Sequence, residues 1–315
     1  MSEFLVKPFQ GNDFEWDEFV ARSHKSTFMH TRNFLNYHKN RYDDHSVMVY
    51  KDDNLVAIFP AAKYGEFTIV SHIGATYGGV VYDERIYGNA TVSILLEIRK
   101  YYFGLGFTEI IYKVTPSLYH SVGDDDDIYA LFRLGASLER VDINAYIDIS
   151  NRLRVSNQRK RNFKKALKNG ISLHVGFDNI LEFYEILSTN LESKYDSRPV
   201  HSVSELKDLN QRFPGNLELQ VIKNTRGQVI SGVLFFNINN VKHAQYIASS
   251  SIGYELGGLD YLFETVIASF GESNQRFLAF GTSNEDNGRV LNQTLYRFKR
   301  QFGSASVSHL FFKIT

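Results

Sequence analysis

The sequence predicts an α/β fold in which one unit, built on a mixed sheet, occurs twice in tandem. The second half has the order helix, helix, three strands, helix, strand, helix, strand, and the first half repeats this order with weaker patterns. When the two halves are aligned, equivalent residues are separated by one constant number of positions. Leu95–Glu97 corresponds to Leu262–Glu264, and Tyr129 corresponds to Tyr296. A shared order at fixed spacing favours a duplicated unit over the alternative, one irregular α+β domain.

In the second half, apolar residues at helical spacing and β-branched runs of strand length define the elements. Ser202 and Glu205 form a capping box ahead of a short helix, and Asn-rich joints between strands predict hairpins. The other predicted elements are helices at 178–191, 259–270 and 290–302, and strands at 217–223, 228–238, 241–248, 277–280 and 307–314.

The first half has the same kinds of pattern with more interruptions. The predicted elements are helices at 13–21, 31–40, 88–103 and 127–134, and strands at 46–51, 54–64, 67–82, 108–114 and 136–149. The joint between the halves lies near 150–156. We therefore predict two domains, residues 1–150 and residues 151–315.

The composition excludes several classes of protein. Lys+Arg and Asp+Glu number 35 each, so the zero net charge argues against a protein that binds a polyanion over its whole surface, and we expect no DNA partner; a local basic patch stays open. Without cysteine, there is no thiol nucleophile and no cysteine-ligated metal site. The first residues lack a signal-peptide pattern, and no apolar run reaches the roughly 18–20 residues of a transmembrane segment. We expect a cytoplasmic protein.

A glycine-bearing segment, Ser249–Gly258, is predicted to be a loop that leads from a strand into an amphipathic helix. Backbone N–H groups at such a junction suit a phosphate or pyrophosphate. The residues predicted to hold the co-substrate are Ser251, Gly253, Gly257 and Gly258. The alternative is a strand-to-helix turn that needs glycine for its dihedral angles.

The sequence contains two charged runs, one of which is a candidate binding segment and the other of which is not. Residues 152–168 hold eight Lys and Arg residues and no acid, so this segment, including Arg161, is a candidate for binding a polyanion or nucleotide-linked sugar. The alternative is a solvated basic helix. The run Asp124–Asp127 cannot converge on one ion, and we interpret it as a solvated helix start. We predict no metal site.

Three stretches resemble the FemABX-type and BioF2-like branch of the GNAT acyltransferase superfamily. Arg159–Ile171 is similar to the basic helix that opens the second copy, and Leu295–Gly303 is similar to the C-terminal signature. The segment from Gly65 to Val80 is similar to the strand and Gly-Gly stretch of the first copy. The resemblance implies two tandem GNAT-like domains, a degenerate acceptor-side domain followed by a donor-side domain.

The resemblance also implies an N-acyltransferase without a tightly bound cofactor. Its co-substrate would be an acyl thioester such as acetyl-CoA, and its acceptor an amine of a cell-envelope sugar or peptide precursor. Two alternatives stay open: an aminoacyl-tRNA-dependent, peptidoglycan-type aminoacyltransferase, with tRNA as a partner, and a non-catalytic binding module. The sequence leaves the general base and the oligomeric state undetermined.

By the same resemblance, Lys299 matches a lysine that steadies charge on the donor or acceptor. A cation there would stabilise an acyl-transfer intermediate, and the alternative is a surface lysine beside a core aromatic. Tyr246 would protonate a leaving group or hold the acyl carbonyl; otherwise it is a packed strand tyrosine. The residues predicted to contact the acceptor are Arg161, Tyr195, Arg198, Ser283 and Asn284.

Overall fold

A computed structural model describes residues 3–272 and 274–315, without the side chains of residues 39, 40, 194, 195 and 272. The chain forms two compact units. The first contains the described residues up to Asp142, with Asn284–Val290 and Ser308–Thr315. The second contains the described residues of Ile143–Ser283 and Leu291–Val307. The assignment of separate domains to residues 1–150 and 151–315 stays a prediction.

The first half of the chain is strand-rich. Its elements are β1 (Leu5–Pro8), α1 (Asp13–Arg22), α2 (Arg32–Leu35), β2 (Asp43–Asp44), β3 (Val47–Lys51), β4 (Asn54–Phe59), β5 (Ala61–Tyr64), β6 (Thr68–Ser71), β7 (Val81–Tyr82), α3 (Asn89–Gly104), β8 (Glu109–Lys113), α4 (Asp126–Arg133) and β9 (Ser137–Asp148).

The second half of the chain holds more helix. Its elements are α5 (Asn157–Ala166), β10 (Ser172–Val175), α6 (Ile180–Tyr195), α7 (Val203–Arg212), β11 (Leu217–Lys223), β12 (Val229–Ile238), β13 (Val241–Ser249), α8 (Ser251–Leu256), α9 (Gly258–Ser269), β14 (Phe277–Thr282), β15 (Asn284–Glu285), β16 (Val290–Leu291), α10 (Gln293–Arg300) and β17 (Ala305–Ile314).

In the first unit, an antiparallel sheet has the order β1-β3-β4-β7. A second row of strands follows β17-β8-β6-β5-β2, with β8 and β6 parallel and the other pairs antiparallel. The C-terminal strand thus completes the sheet of the first unit, where Phe311 pairs with Lys113 and Ile314 with Ile110. The core of this unit includes Phe59, Tyr102 and Tyr112, all fully buried.

In the second unit, strands β10, β11, β12 and β13 are antiparallel neighbours in that order. β14 is parallel to β13, and the end of β9 joins antiparallel to β14, with Ile147 opposite Leu278. Helices α6 and α9 contact β12. The apolar face of α9 packs Leu262 and Phe263 into a core that also contains Phe302.

The predicted α/β class is confirmed, and the predicted elements of the second half occur in the expected order, with β10, α8, β15 and β16 present in addition. The capping box also forms: the Ser202 hydroxyl accepts the Glu205 N–H, and the Glu205 carboxylate accepts the Ser202 N–H. Within the described part of the chain, none of the helices is both long and apolar enough to cross a bilayer.

The predicted strand 67–82 is present only as the separate strands β6 and β7. Three other boundaries differ from the prediction for physical reasons. The predicted strand 54–64 is broken at Pro60, which has no N–H for a sheet ladder. The predicted helix 31–40 is helical only over α2 and continues as 3₁₀ turns. The predicted helix 290–302 starts at Gln293, because Asn292 caps it by accepting the Leu295 N–H.

Candidate active site

The two parallel strands of the second unit separate partway along their length. Their pairing covers Val241–His243 of β13 against Phe277–Ala279 of β14, and both strands then continue, to Ser249 and to Thr282. Backbone groups of strands that have parted are available to a ligand that lies between them. The described pairing of these two strands therefore ends at His243 and Ala279.

A β-bulge lies in β13 just past this point. Leu234 pairs with Tyr246 and Phe235 with Ala244, so Gln245 is an extra residue. A bulge bends its strand and redirects the side chains beside it. The extra residue, Gln245, lies two positions past His243, the last β13 residue that pairs with β14.

The predicted catalytic residue Tyr246 follows the bulge and lies in the separated part of β13. Its hydroxyl is 2.7 Å from Nδ1 of His201, a residue of the loop before α7 that the sequence analysis did not identify. Burial raises the pKa of Tyr246 to about 12, so the phenol keeps its proton at neutral pH. Tyr246 can therefore donate a hydrogen bond but does not act as a base.

Lys299 lies on the buried face of α10, and its exposed fraction is 3%. Its Nζ donates to the carbonyl oxygens of Thr282 at 2.6 Å and Gly281 at 3.1 Å, at the end of β14. Burial lowers the pKa of Lys299 to about 7, so charged and neutral forms coexist near neutral pH. The alternative of a surface lysine is wrong, because two strand-end carbonyls hold the ammonium inside the unit.

Two further polar side chains belong to the surroundings of this lysine. His243 is the last β13 residue paired with β14, and burial together with the charge of Lys299 lowers its pKa to about 4. Ser283, a predicted acceptor contact, directly follows Thr282 and is 3% exposed, and its hydroxyl has no hydrogen-bond partner among the described residues. A neutral imidazole and an unsatisfied hydroxyl thus lie near the end of β14.

The glycine-bearing segment is helical rather than a loop. Ser250 caps α8 by accepting the Gly253 N–H, and α8 runs from Ser251 to Leu256. Gly257 has φ of +77° and separates α8 from α9, which begins at Gly258. The expectation of an open loop was wrong, because one serine cap is enough to start the helix directly after β13.

The glycines of this segment allow close packing of the helices on β12. A Cβ at Gly253 would overlap the carbonyl oxygen of Ile230 and the hydroxyl of Ser231, and a Cβ at Gly258 would overlap the same hydroxyl. These contacts account for glycine at both positions. A role of Ser251, Gly253, Gly257 and Gly258 in binding a co-substrate stays a prediction.

Replacing Gly253 with alanine should lower the free energy of unfolding by about 3 kcal/mol, because the added methyl group meets strand backbone that cannot move aside. Urea unfolding measures the change. Gly104→Ala is the matched control: a Cβ at Gly104 would meet no described atom within 4 Å outside its own stretch of helix, and the substitution should be neutral or slightly stabilising. A stable Gly253→Ala protein would contradict the packing role.

Two arginines of the basic segment form ion pairs with α9. Arg152 bonds to both carboxylate oxygens of Glu264, at 2.6 and 3.0 Å. Arg159 bonds to Asp260 at 3.1 Å and stacks over Phe298. The spacing of the two acids by four residues on one helix is the sequence signal for this arrangement. The solvated-helix alternative is therefore wrong for these two arginines.

The other six cations of this segment are exposed and form no ion pair within the described residues; they are Arg154, Lys160, Arg161, Lys164, Lys165 and Lys168. We call them the basic face. Arg161, a predicted acceptor contact, belongs to it. No described contact joins the basic face to Lys299 or Tyr246.

The remaining predicted acceptor contacts are Arg198, Tyr195 and Asn284. The side chain of Arg198 is 87% exposed and reaches Glu192 only at 3.8 Å. The side chain of Tyr195 lies outside the described residues. Asn284 lies in β15 and donates to the Gly288 carbonyl at 3.2 Å. Their role in binding an acceptor stays a prediction.

The aspartate run begins a helix, as expected, but it is not solvated throughout. Asp127 is 2% exposed and pairs with Lys25 at 2.8 Å, and Asp124 accepts the Tyr82 hydroxyl at 2.6 Å. The interpretation of a solvated helix start is wrong for Asp127, because a buried lysine distant in sequence neutralises it. In the part of the chain that the structure describes, there is no group of three His, Asp or Glu side chains placed to hold a metal ion.

The chain has the tandem GNAT-type, FemABX-like acyltransferase fold. It is similar to the crystal structure of FemX, with a TM-score of 0.69, 12% identity, and coverage of 98% of this chain and 97% of that one. It is also similar to L-PGS from Bacillus licheniformis, with a TM-score of 0.63, 11% identity, and coverage of 96% and 91%.

A third similar structure is a tandem GNAT protein from the clavulanic acid biosynthesis pathway. Its TM-score is 0.50 at 12% identity, with coverage of 99% of this chain and 98% of that one. No protein-family model and no curated protein sequence matches the chain. The similarity therefore establishes the fold, and the activity has to be argued from the site.

Proposed function

We propose that the chain is an N-acyltransferase that moves an acyl group from a thioester, acetyl-CoA, to the amine of a cell-envelope sugar or peptide precursor. The observation that carries this proposal is the separation of β13 from β14 past His243, with Lys299 held at the end of β14. This part of the second unit combines a gap lined by strand backbone with the buried cation of Lys299.

The gap suits an extended donor molecule. The thioester arm of CoA contains amide groups, and amides can pair with exposed strand backbone as an added strand would. The carbonyl of the acyl group would then lie between the two strands. Tyr246, with its proton retained, is a hydrogen-bond donor on the separated part of β13.

Lys299 would stabilise the charge that develops during transfer. The acceptor nitrogen attacks the thioester carbonyl carbon, a C–N bond forms, the C–S bond breaks, the thiolate leaves and the nitrogen loses its proton. In the ammonium form, two N–H bonds of Lys299 go to strand carbonyls and a third stays available for the oxyanion. No covalent enzyme intermediate is required.

The acceptor side of the proposal rests on the resemblance to FemABX-type proteins. We assign the donor to residues 151–315 and the acceptor to residues 1–150, with Arg161, Arg198, Ser283 and Asn284 as further acceptor contacts. The unsatisfied, buried hydroxyl of Ser283 beside Thr282 supports its place in this set, because such a group gains a partner when a ligand binds.

A second candidate donor is aminoacyl-tRNA, and the basic face favours it. Six exposed, unpaired cations within one short segment attract a nucleic-acid backbone. No exposed aromatic side chain lies among them, so the contact would be to phosphates rather than to stacked bases. Binding of tRNA through this surface would weaken steeply with added salt.

The test supplies both donors to the purified protein. Labelled acetyl-CoA or charged tRNA is incubated with amino-sugar nucleotides and peptidoglycan precursors, and mass spectrometry identifies the product. An N-acetylated acceptor supports the main proposal. An aminoacylated acceptor whose formation is abolished by RNase supports the second candidate. Binding of either donor without a product with any acceptor overturns both and indicates a non-catalytic binding module.

A further inference from the structure

The first unit contains a cavity of about 110 Å³ that is separate from the residues discussed above. It lies among α2, the following 3₁₀ turns, β2, β5 and the turn after β6. Its polar lining includes Arg32, Asn36, Asp44, Ser46 and His72. At roughly 30 Å³ per liquid water, the volume is that of about four waters, which is enough for a small polar molecule.

His72 is the most unusual residue of this lining. It is 2% exposed, and its φ of +55° lies in the left-handed region that side chains rarely adopt. Its Nε2 is 2.5 Å from the Met29 carbonyl oxygen and must donate to it, since a carbonyl only accepts. Nδ1 has no hydrogen-bond partner in the described residues.

The bond to Met29 therefore fixes the tautomer of this imidazole. With the proton on Nε2, Nδ1 carries a lone pair and can only accept a hydrogen bond. Burial holds the pKa of His72 well below its usual range, which keeps the ring neutral at pH 7. A buried acceptor without a partner and a strained backbone at the same residue are typical of ligand sites.

Arg32 supplies the complementary, donating group. It is 5% exposed, and its terminal nitrogens bond to Asp44 at 2.5 Å, Asn36 at 3.0 Å and Ser46 at 3.3 Å. Its Nε–H has no hydrogen-bond acceptor among the described residues, and the nearest carboxylate, Asp13, is 3.9 Å away. Arg32 thus retains one buried donor.

Asp44 adds hydrogen-bond acceptors to the lining and balances the positive charge of Arg32. Its side chain is 42% exposed, and it accepts three hydrogen bonds, from Arg32 and from the N–H and hydroxyl of Ser46. A carboxylate accepts about four, so one position stays open. Among the described residues, the lining thus combines the cation of Arg32 and the anion of Asp44 with the neutral acceptor imidazole of His72, and it also contains the ring of His38 and the phenol of Tyr42.

We infer that this cavity binds a small zwitterion, a free α-amino acid of the size of glycine or alanine. The ammonium group would donate to Nδ1 of His72 and to Asp44, and the carboxylate would accept from Nε of Arg32. The inference is independent of acyl transfer, because it concerns binding in the first unit alone.

The test is calorimetric titration of the purified protein with glycine, L-alanine and D-alanine, each to about 10 mM, which covers the ~1 mM dissociation constants of weak ligands. L-alaninamide removes the carboxylate, and N-acetyl-L-alanine removes the ammonium. We expect an amino acid to bind and N-acetyl-L-alanine to fail. Binding of L-alaninamide as tight as that of L-alanine would indicate the amine end of a ligand only and would contradict the role of Arg32.

Two substitutions of His72 separate its hydrogen bonds. His72→Gln retains a donor at the position of Nε2 and loses the acceptor, so affinity should fall about 10- to 100-fold, the worth of one hydrogen bond to a charged group. His72→Asn retains an acceptor at the position of Nδ1 and tolerates positive φ, so binding should weaken less. The melting temperature of each variant monitors folding.

The result has three informative outcomes. Binding that is lost in His72→Gln and largely retained in His72→Asn supports the site. Wild-type protein that binds none of the amino acids overturns the inference, as does binding unchanged in His72→Gln. Lys299→Met should bind amino acids as wild type does, so a failure of the proposed catalysis does not affect this measurement.

Discussion

Replacing Lys299 with methionine should lower the turnover number of acyl transfer by about 100- to 1000-fold, the effect of removing one donor to a developing oxyanion. Methionine has a similar length and no charge, so the substitution removes the N–H groups that reach the end of β14. Initial rates with acetyl-CoA or charged tRNA, whichever yields a product, measure the loss.

Arg297→Met is the matched control for this substitution. Arg297 lies on the exposed side of the same helix, two residues before Lys299, and its loss removes the same formal charge. Its turnover should stay within about threefold of wild type, since an exposed charge is screened by solvent. Equal losses in both variants would indicate a general charge effect and contradict a role for Lys299 in the site.

The pH dependence distinguishes the ammonium form of Lys299 from its neutral form. Burial lowers its pKa to about 7, so the fraction protonated falls tenfold per pH unit above that value. If the cation stabilises the oxyanion, turnover should fall as pH rises through about 7, and this limb should be absent in Lys299→Met. Turnover that increases as the pH rises through about 7 would indicate that Lys299 acts as a base, and it would contradict the proposal.

Replacing Lys25 with methionine should lower the free energy of unfolding by about 3–5 kcal/mol, because it leaves the buried carboxylate of Asp127 without its cation. Lys25 and Asp127 are 1% and 2% exposed, and their charged atoms are 2.8 Å apart. Lys25 also donates to the hydroxyl of Tyr82, and Asp127 accepts the hydroxyl of Tyr112. Urea unfolding at pH 7 measures the loss.

A double-mutant cycle tests the coupling. In Lys25→Met with Asp127→Asn, no buried charge is left unpaired, so the double variant should be more stable than the sum of the single losses by about 1–3 kcal/mol. The surface pair of Lys100 and Glu97, at 2.7 Å, is the control, and Lys100→Met should cost less than about 1 kcal/mol. Additive losses in the cycle would exclude a coupled pair.

The sequence predicted the second half of the chain well because its signals are local. The α9 stripe, the Ser202–Glu205 capping box and the hairpin between β12 and β13 each depend on residues a few positions apart. The error at Ser251–Leu256 also has a local cause: Gly253 is a poor helix former, but it lies in a helix because no side chain fits against β12.

The features that the sequence did not predict depend on residues distant in the chain. Asp127 is buried because Lys25, 102 positions earlier, reaches it. Lys299 is buried because strand-end carbonyls 17 and 18 positions away accept its N–H bonds. The spacing of residues within one helix does not show which distant residue will contact it. The contacts that bury Asp127 and Lys299 therefore could not be predicted from the sequence.

The pairing of β17 with β8 has a consequence for how the protein is made. Because a ribosome releases the chain from its N-terminus onward, β8 emerges some two hundred residues before its neighbour in the finished sheet. For that interval its outer edge offers unpaired N–H and C=O groups to other nascent chains. Until β17 has been synthesised, a chaperone that covers this edge of β8 would limit pairing between nascent chains.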